Sequence, residues 1–295
     1  MRKFGLLVAI TTAACSSKVL LPRTSQGQPV LQVRGAIQGG PHSLGQADLD
    51  RLPRLKVRGT DPRTGETAEW EGPSIAVLVS DKVELKKGAD TAVIRTSDGA
   101  AIPVPLTIIR TLRPVLADHA NGVRIATPVV AWPTEAQAGL ATDPRAPAWW
   151  ARDVVAFELA SWQRTYGPAL TEPEGAADEA RRGADVYVES CIGCHKVRGA
   201  GGTKGPDLST VAARLRGDAF IVLLPQHPGA EARRQRDPSE TWQSEVWAFL
   251  SAISTLPPPP AQPDEVAAER PAPPPPPTHD GDVRGGEPAP VKPPR

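Results

Sequence analysis

Five consecutive residues, Cys191-Ile192-Gly193-Cys194-His195, constrain this chain more than any other feature. Two thiols lie about one helical turn apart, and an imidazole follows at once. This is the C-x-x-C-H pattern of covalent haem attachment. Each thiol adds across one haem vinyl group, which holds the adjacent His195 under the iron as proximal ligand. Two rival readings exist for the cysteine pair. A thioredoxin-like pair sits between a strand and a helix, whereas these thiols follow a helical pattern. A structural zinc site needs four nitrogen or sulfur ligands, and the chain has only three cysteines, at positions 15, 191 and 194.

The chain opens MRKFGLLVAITTAACSS, with Arg2 and Lys3 before a short apolar run, Phe4 to Ile10, and small residues before Cys15. The run is too short for a permanent bilayer span, so residues 1–14 read as a cleaved signal. The stretch resembles a bacterial lipoprotein lipobox, although Thr12 stands where that family prefers Leu, Val or Ile. The resemblance implies a lipidated Cys15 on the periplasmic face of a bacterial membrane. Each buried acyl methylene would add about 0.8 kcal/mol of membrane affinity. An ordinary secretory signal with Cys15 near the cut is the alternative. Both readings export the chain, where an open thiol pair would tend to oxidise.

With a formal net charge of +1, a nucleic-acid partner has no electrostatic support. Residues 15–27 read as a tether. Residues 28–165 alternate short Val- and Ile-bearing runs with Gly, Pro, Asp and Ser, the pattern of an α+β domain. Strands are expected at 30–37, 55–58, 75–79, 92–95, 102–109, 123–126 and 154–159, with Ser43 capping a helix over LGQADLDRL. The segment 166–173 reads as a linker to an all-α domain at 174–255. In its last helix Trp242, Val246, Phe249 and Leu250 recur at helical spacing. Residues 256–295 carry many of the 34 prolines and show no apolar periodicity, so they read as a disordered tail, either a spacer or a solvated end.

Over about 80 residues the second domain resembles the class I cytochrome c family. GADVYVESCIGCH matches its first helix and attachment site, and Gly205-Pro206-Asp207-Leu208 matches its G-P-x-L turn. The resemblance implies that the Pro206 carbonyl accepts a hydrogen bond from Nδ1 of His195. It also implies that Gly183, Tyr187 and Phe249 form the crossing of first and last helices. That family places a methionine on the distal side of the iron. Here Met1 is the only methionine, so the mature chain has none to offer. His227, which precedes Pro228, is the best substitute. Counting back from the last helix instead puts the family's methionine near 233–235 and leaves the iron open. Lys204 is a weaker candidate.

Residues 28–165 resemble the molybdopterin-binding domain of the sulfite oxidase superfamily. The likeness rests on VRGAIQGGPHSLGQADLDRLPRLKV, TGETAEWEGPSIAVLV, IPVPLTIIRTLRPVLADHANG and WWARDVVAFEL. Those enzymes hold molybdenum through a cysteine thiolate, and none lies between Cys15 and Cys191, so no molybdenum is expected. Arg110, Arg113, His119 and Arg124 would line a leftover anion pocket or form a solvated basic face.

These readings describe a membrane-tethered monohaem c-type cytochrome carrying electrons in the periplasm, with the first domain for docking. Lys196, Arg198 and Lys204 would steer an acidic redox partner protein. The alternatives are a haem subunit or enzyme of a sulfite-dehydrogenase-like oxidoreductase, or a five-coordinate haem sensor. Protein matured with haem-attachment machinery is expected to be coloured, with Cys191 and Cys194 closed to alkylation. Colourless protein with both thiols reactive would overturn the motif reading.

Overall fold

The structure, a computed structural model, describes residues 20–25, 27–137, 139–140, 143–227, 233, 237–239 and 241–257. The expected signal, Cys15 and the tail beyond Pro257 lie outside the described residues. The chain runs β1 (Leu31–Gly35), β2 (His42–Leu44), α1 (Gln46–Asp50), β3 (Arg54–Thr60), β4 (Thr67–Pro73), β5 (Thr91–Thr96), β6 (Ala101–Pro105), α2 (Leu106–Leu112), β7 (Val115–Ala120), β8 (Val123–Ala131), α3 (Ala146–Trp149) and β9 (Val154–Ala160). It continues through α4 (Trp162–Thr165), α5 (Gly167–Leu170), α6 (Asp178–Ser190), β10 (Lys196–Val197), β11 (Ala200–Gly201), α7 (Val211–Arg214), α8 (Gly217–Leu223) and α9 (Thr241–Ile253).

Two sheets build the first part. One has strand order β2-β1-β9-β5-β6 and the other β3-β4-β7-β8. All pairings are antiparallel except β1 with β9, where Gln32 lies opposite Ala156 and Gly35 opposite Leu159. The main core lies between these elements and holds four tryptophans, Trp70, Trp132, Trp149 and Trp150. Two of their indole N–H groups are buried, and each finds a carbonyl: Trp70 donates to Gly59 at 3.0 Å and Trp132 to Trp149 at 3.0 Å.

A second core binds the helical part to the back of the five-stranded sheet. Successive side chains of a strand point to opposite faces. In β5, Ala92 and Ile94 therefore enter the main core while Val93 enters the second. Ala101 and Ala160 face the same way as Val93 and meet Val186, Tyr187, Ile192 and Phe249 from the helical part. Helices α6 and α9 cross at Gly183, where an added Cβ would lie 1.9 Å from the Glu245 carbonyl oxygen. Tyr187 and Phe249 pack beside this crossing, ring centres 5.6 Å apart.

Several sequence expectations change. Residues 75–79 were expected as a strand, yet Ile75 and Ala76 are helical and Val77–Asp81 form a π-helical turn. An apolar run buried on every side does not distinguish strand from helix. The strand expected over 102–109 stops at Pro105, which has no N–H for the ladder, and α2 begins there. Ser43 is a strand residue; the Asp48 carboxylate accepts from the Gly45 N–H at 2.9 Å and caps α1 instead. The tether expected over 15–27 is partly packed: Leu21 is 4% exposed, and Arg23 donates to the carbonyls of Gly40 and Gln38. The segment expected as a linker contains α5 and buries Tyr166 and Ala169 in the second core.

Gly183→Ala is expected to destabilise the chain by about 1–3 kcal/mol, because backbone on the facing helix has to move. Urea unfolding of haem-loaded protein measures this, and an unchanged midpoint would contradict the close crossing.

Candidate functional site

Helix α6 ends at Ser190, and the chain coils through the attachment segment while still bonded to the helix. Cys191 N–H and Ile192 N–H both donate to the Tyr187 carbonyl, at 2.8 and 2.9 Å. His195 N–H then donates to the Cys191 carbonyl at 2.9 Å. The turn therefore presents both thiols, neither in a disulfide, one helical turn apart. Burial pushes the Cys191 thiol up to about 12; Arg233 pulls it down and Cys194 adds to the rise. Burial also raises Cys194, with Lys204 opposing and Asp98 reinforcing. Neither is poised as a thiolate, which argues against rapid disulfide exchange.

His195 is held from three sides. Its Nδ1 lies 2.8 Å from the Pro206 carbonyl oxygen. That oxygen only accepts, so Nδ1 carries the proton and Nε2 presents a lone pair. The buried Tyr187 hydroxyl donates to the His195 carbonyl at 2.8 Å. Gly205 lies against the ring, where an added Cβ would come within 2.3 Å of Cε1. The G-P-x-L turn thus works through its two first residues, one by lacking a side chain and one by its carbonyl.

The chain then runs along α8 to a single 3₁₀ turn, Leu224–Gln226, which delivers His227. Its ring lies next to that of His195, centres 5.6 Å apart and planes at 47°. Two imidazoles on opposite sides of one metal ion, each through a bond of about 2 Å, have centres roughly 6 Å apart. Partial burial and then nearby His195 lower the His227 pKa, which favours the neutral, ligating form. Phe220, Leu208 and Leu224 pack on the second core. The donor set of two thiols, a tautomer-fixed imidazole and a facing imidazole fits a covalently held haem.

Other sequence candidates are occupied elsewhere. Lys204 pairs with Asp98 at 2.7 Å. Arg198 donates to the Pro257 carbonyl at 3.2 Å. Arg233, at the alternative distal position, is 9% exposed and pairs with Glu189. The leftover anion pocket does not assemble. Arg113 pairs with Asp81 at 3.1 Å, His119 lies 2.8 Å from Asp118, and Arg110 and Arg124 are exposed. Among the described residues no group of three or more His, Cys, Asp or Glu forms a metal-sized cluster. No helix among them is long and apolar enough to cross a membrane.

Sequence reasoning missed the seam between the sheet and the attachment segment. Ala101 N–H donates to the Gly193 carbonyl at 2.8 Å, and Thr203 N–H to the Gly99 carbonyl at 2.8 Å. The β5–β6 turn therefore clasps the attachment segment through backbone, and Asp98–Lys204 closes the clasp. Backbone bonds between distant segments leave no pattern in residue types.

Against this geometry, residues 180–242 match the family model of cytochrome c, so the chain contains a cytochrome c domain. Such a domain implies covalent haem c, electron transfer and a redox partner, and is typically exported. No curated protein matches the chain. Among solved structures it is similar to the sulfane dehydrogenase SoxCD from Paracoccus pantotrophus, at 15% identity and a TM-score of 0.34, over 49% of this chain and 42% of that one. This chain thus spans less than half of that neighbour, and a likeness of this size decides nothing about activity.

The Lys204 hydrogen bond, with Thr96 assisting, holds the Asp98 carboxyl at about 2. An Asp lowered on folding stabilises above its unfolded pKa of about 3.9 and loses that contribution as pH falls through the folded value. Both partners are about half exposed, so the effect is small, under about 1 kcal/mol. Between pH 5 and 2.5, native protein is expected to lose more urea stability than Asp98→Asn. Equal losses would show that the pair contributes nothing.

Proposed function

We propose that this chain is an exported monohaem electron carrier. Cys191 and Cys194 would hold its haem covalently and His195 and His227 would ligate the iron, with the sheet domain as a mount. The observation that carries this is the facing pair of imidazoles, one fixed by the Pro206 carbonyl. The bound haem supplies a one-electron couple. Imidazole in place of methionine lowers its potential relative to His/Met cytochromes. Pro206 fixes the tautomer of His195, and Gly205 leaves room for the ring. Tyr187 ties the His195 backbone to the α6–α9 crossing.

The sheet domain serves mounting rather than molybdenum chemistry, since it carries no cysteine thiolate. A lipid on Cys15 holds the molecule at the periplasmic face of a membrane, and a redox partner protein meets it there.

His227→Ala is expected to convert low-spin haem to high-spin and to open the iron to carbon monoxide in the reduced form. Absorption spectra of oxidised and reduced protein read both changes. An unchanged low-spin spectrum would remove His227 from the iron.

A further inference from the structure

A cavity lies where the sheet and haem domains meet, and neither His195 nor His227 lines it. It encloses about 780 Å³, within the ordinary range for small-molecule sites, which favour domain interfaces. One wall is the attachment segment itself, Ile192, Gly193 and Cys194, with Val188 of α6. The opposite wall comes from the sheet domain and includes Ile102, Thr107, Ala148 and Trp149.

The charges of this cleft largely cancel. Arg152 pairs with Asp61, Lys204 with Asp98 and Arg145 with Asp143. Glu189 pairs with Arg233, and the Asp90 carboxylate accepts from the Trp162 N–H at 2.7 Å. That leaves Arg63 and Asp153, of opposite sign. Neither an anion nor a cation finds an excess of the opposite charge. Flat surfaces do recur: Trp149, Trp150 and Trp162 line the cleft together with several prolines. Trp162 already stacks on Tyr166, ring centres 4.6 Å apart, and Arg145 lies 5.2 Å over the Trp149 ring.

We propose that this cleft binds a neutral, planar ring molecule of the quinone type, seated against Cys194. The proposal rests on the haem reading, because Cys194 then carries a haem thioether and the ligand lies beside the redox centre. Apolar walls of fixed shape hold a flat ring system, and the paired charges at the edge keep ions out.

The test uses full-length, haem-loaded protein and duroquinone, whose four methyl groups leave no ring position open to thiols. Equilibrium dialysis is expected to show saturable binding of one molecule per chain. Thr107→Trp and Ala148→Trp each place an indole into the cleft from an exposed wall position and should weaken binding roughly tenfold or more. Their haem spectra should match the native protein, which shows that folding and ligation survive. Unsaturable uptake, or both variants binding as tightly as native protein, would overturn the proposal. Failure of the haem reading is distinct: it appears as protein with no covalent haem in the pyridine haemochrome assay.

Discussion

The hydrogen bond from His195 Nδ1 to the Pro206 carbonyl, 2.8 Å long, organises the functional half of the molecule. It spans only eleven residues, yet it settles which nitrogen is free and which way the ring faces. Gly205 is small because the ring passes over it, and Tyr187 bonds the carbonyl of the same histidine. Tyr187 in turn packs on Phe249, beside the crossing that Gly183 makes close. A change at the helix crossing therefore reaches the imidazole through two contacts. Without the Pro206 bond the lone pair would lose its fixed direction, and His227 would have nothing to face.

The sheet domain is more than an appendage to this arrangement. Val93, Ala101 and Ala160 complete a core that the helices alone leave open on one side. The clasp adds one backbone bond to Gly193, inside the attachment segment, and a second between Thr203 and Gly99. Interfaces between domains of one chain are often polar and mobile. Here the seam has a buried apolar interior, with a salt bridge at its exposed edge.

What the sequence revealed was local. The C-x-x-C-H run and the G-P-x-L turn are short and lie close together in the chain, so their partners were readable before any fold was known. The last helix was legible because Trp242, Val246, Phe249 and Leu250 repeat at helical spacing. The placement of His227 depends on how many residues the 3₁₀ turn uses, and turn length leaves little trace in composition. Residues 75–79 defeated pattern reading because burial on all sides erases periodicity. The strands β4 and β7 went unseen because Glu, Gly, Ala and Asp interrupt their apolar residues. The clasp was unreadable for a different reason: Gly99, Ala101 and Gly193 contribute main chain alone.

The packing of Leu21 sets an altitude. Its side chain is buried and its N–H donates to the Lys82 carbonyl at 3.1 Å, so the chain is fastened to the folded body there. From Cys15 to Leu21 a chain reaches no farther than about 20 Å even when fully stretched. The proposed lipid on Cys15 would therefore hold Leu21 within about 20 Å of its anchor point.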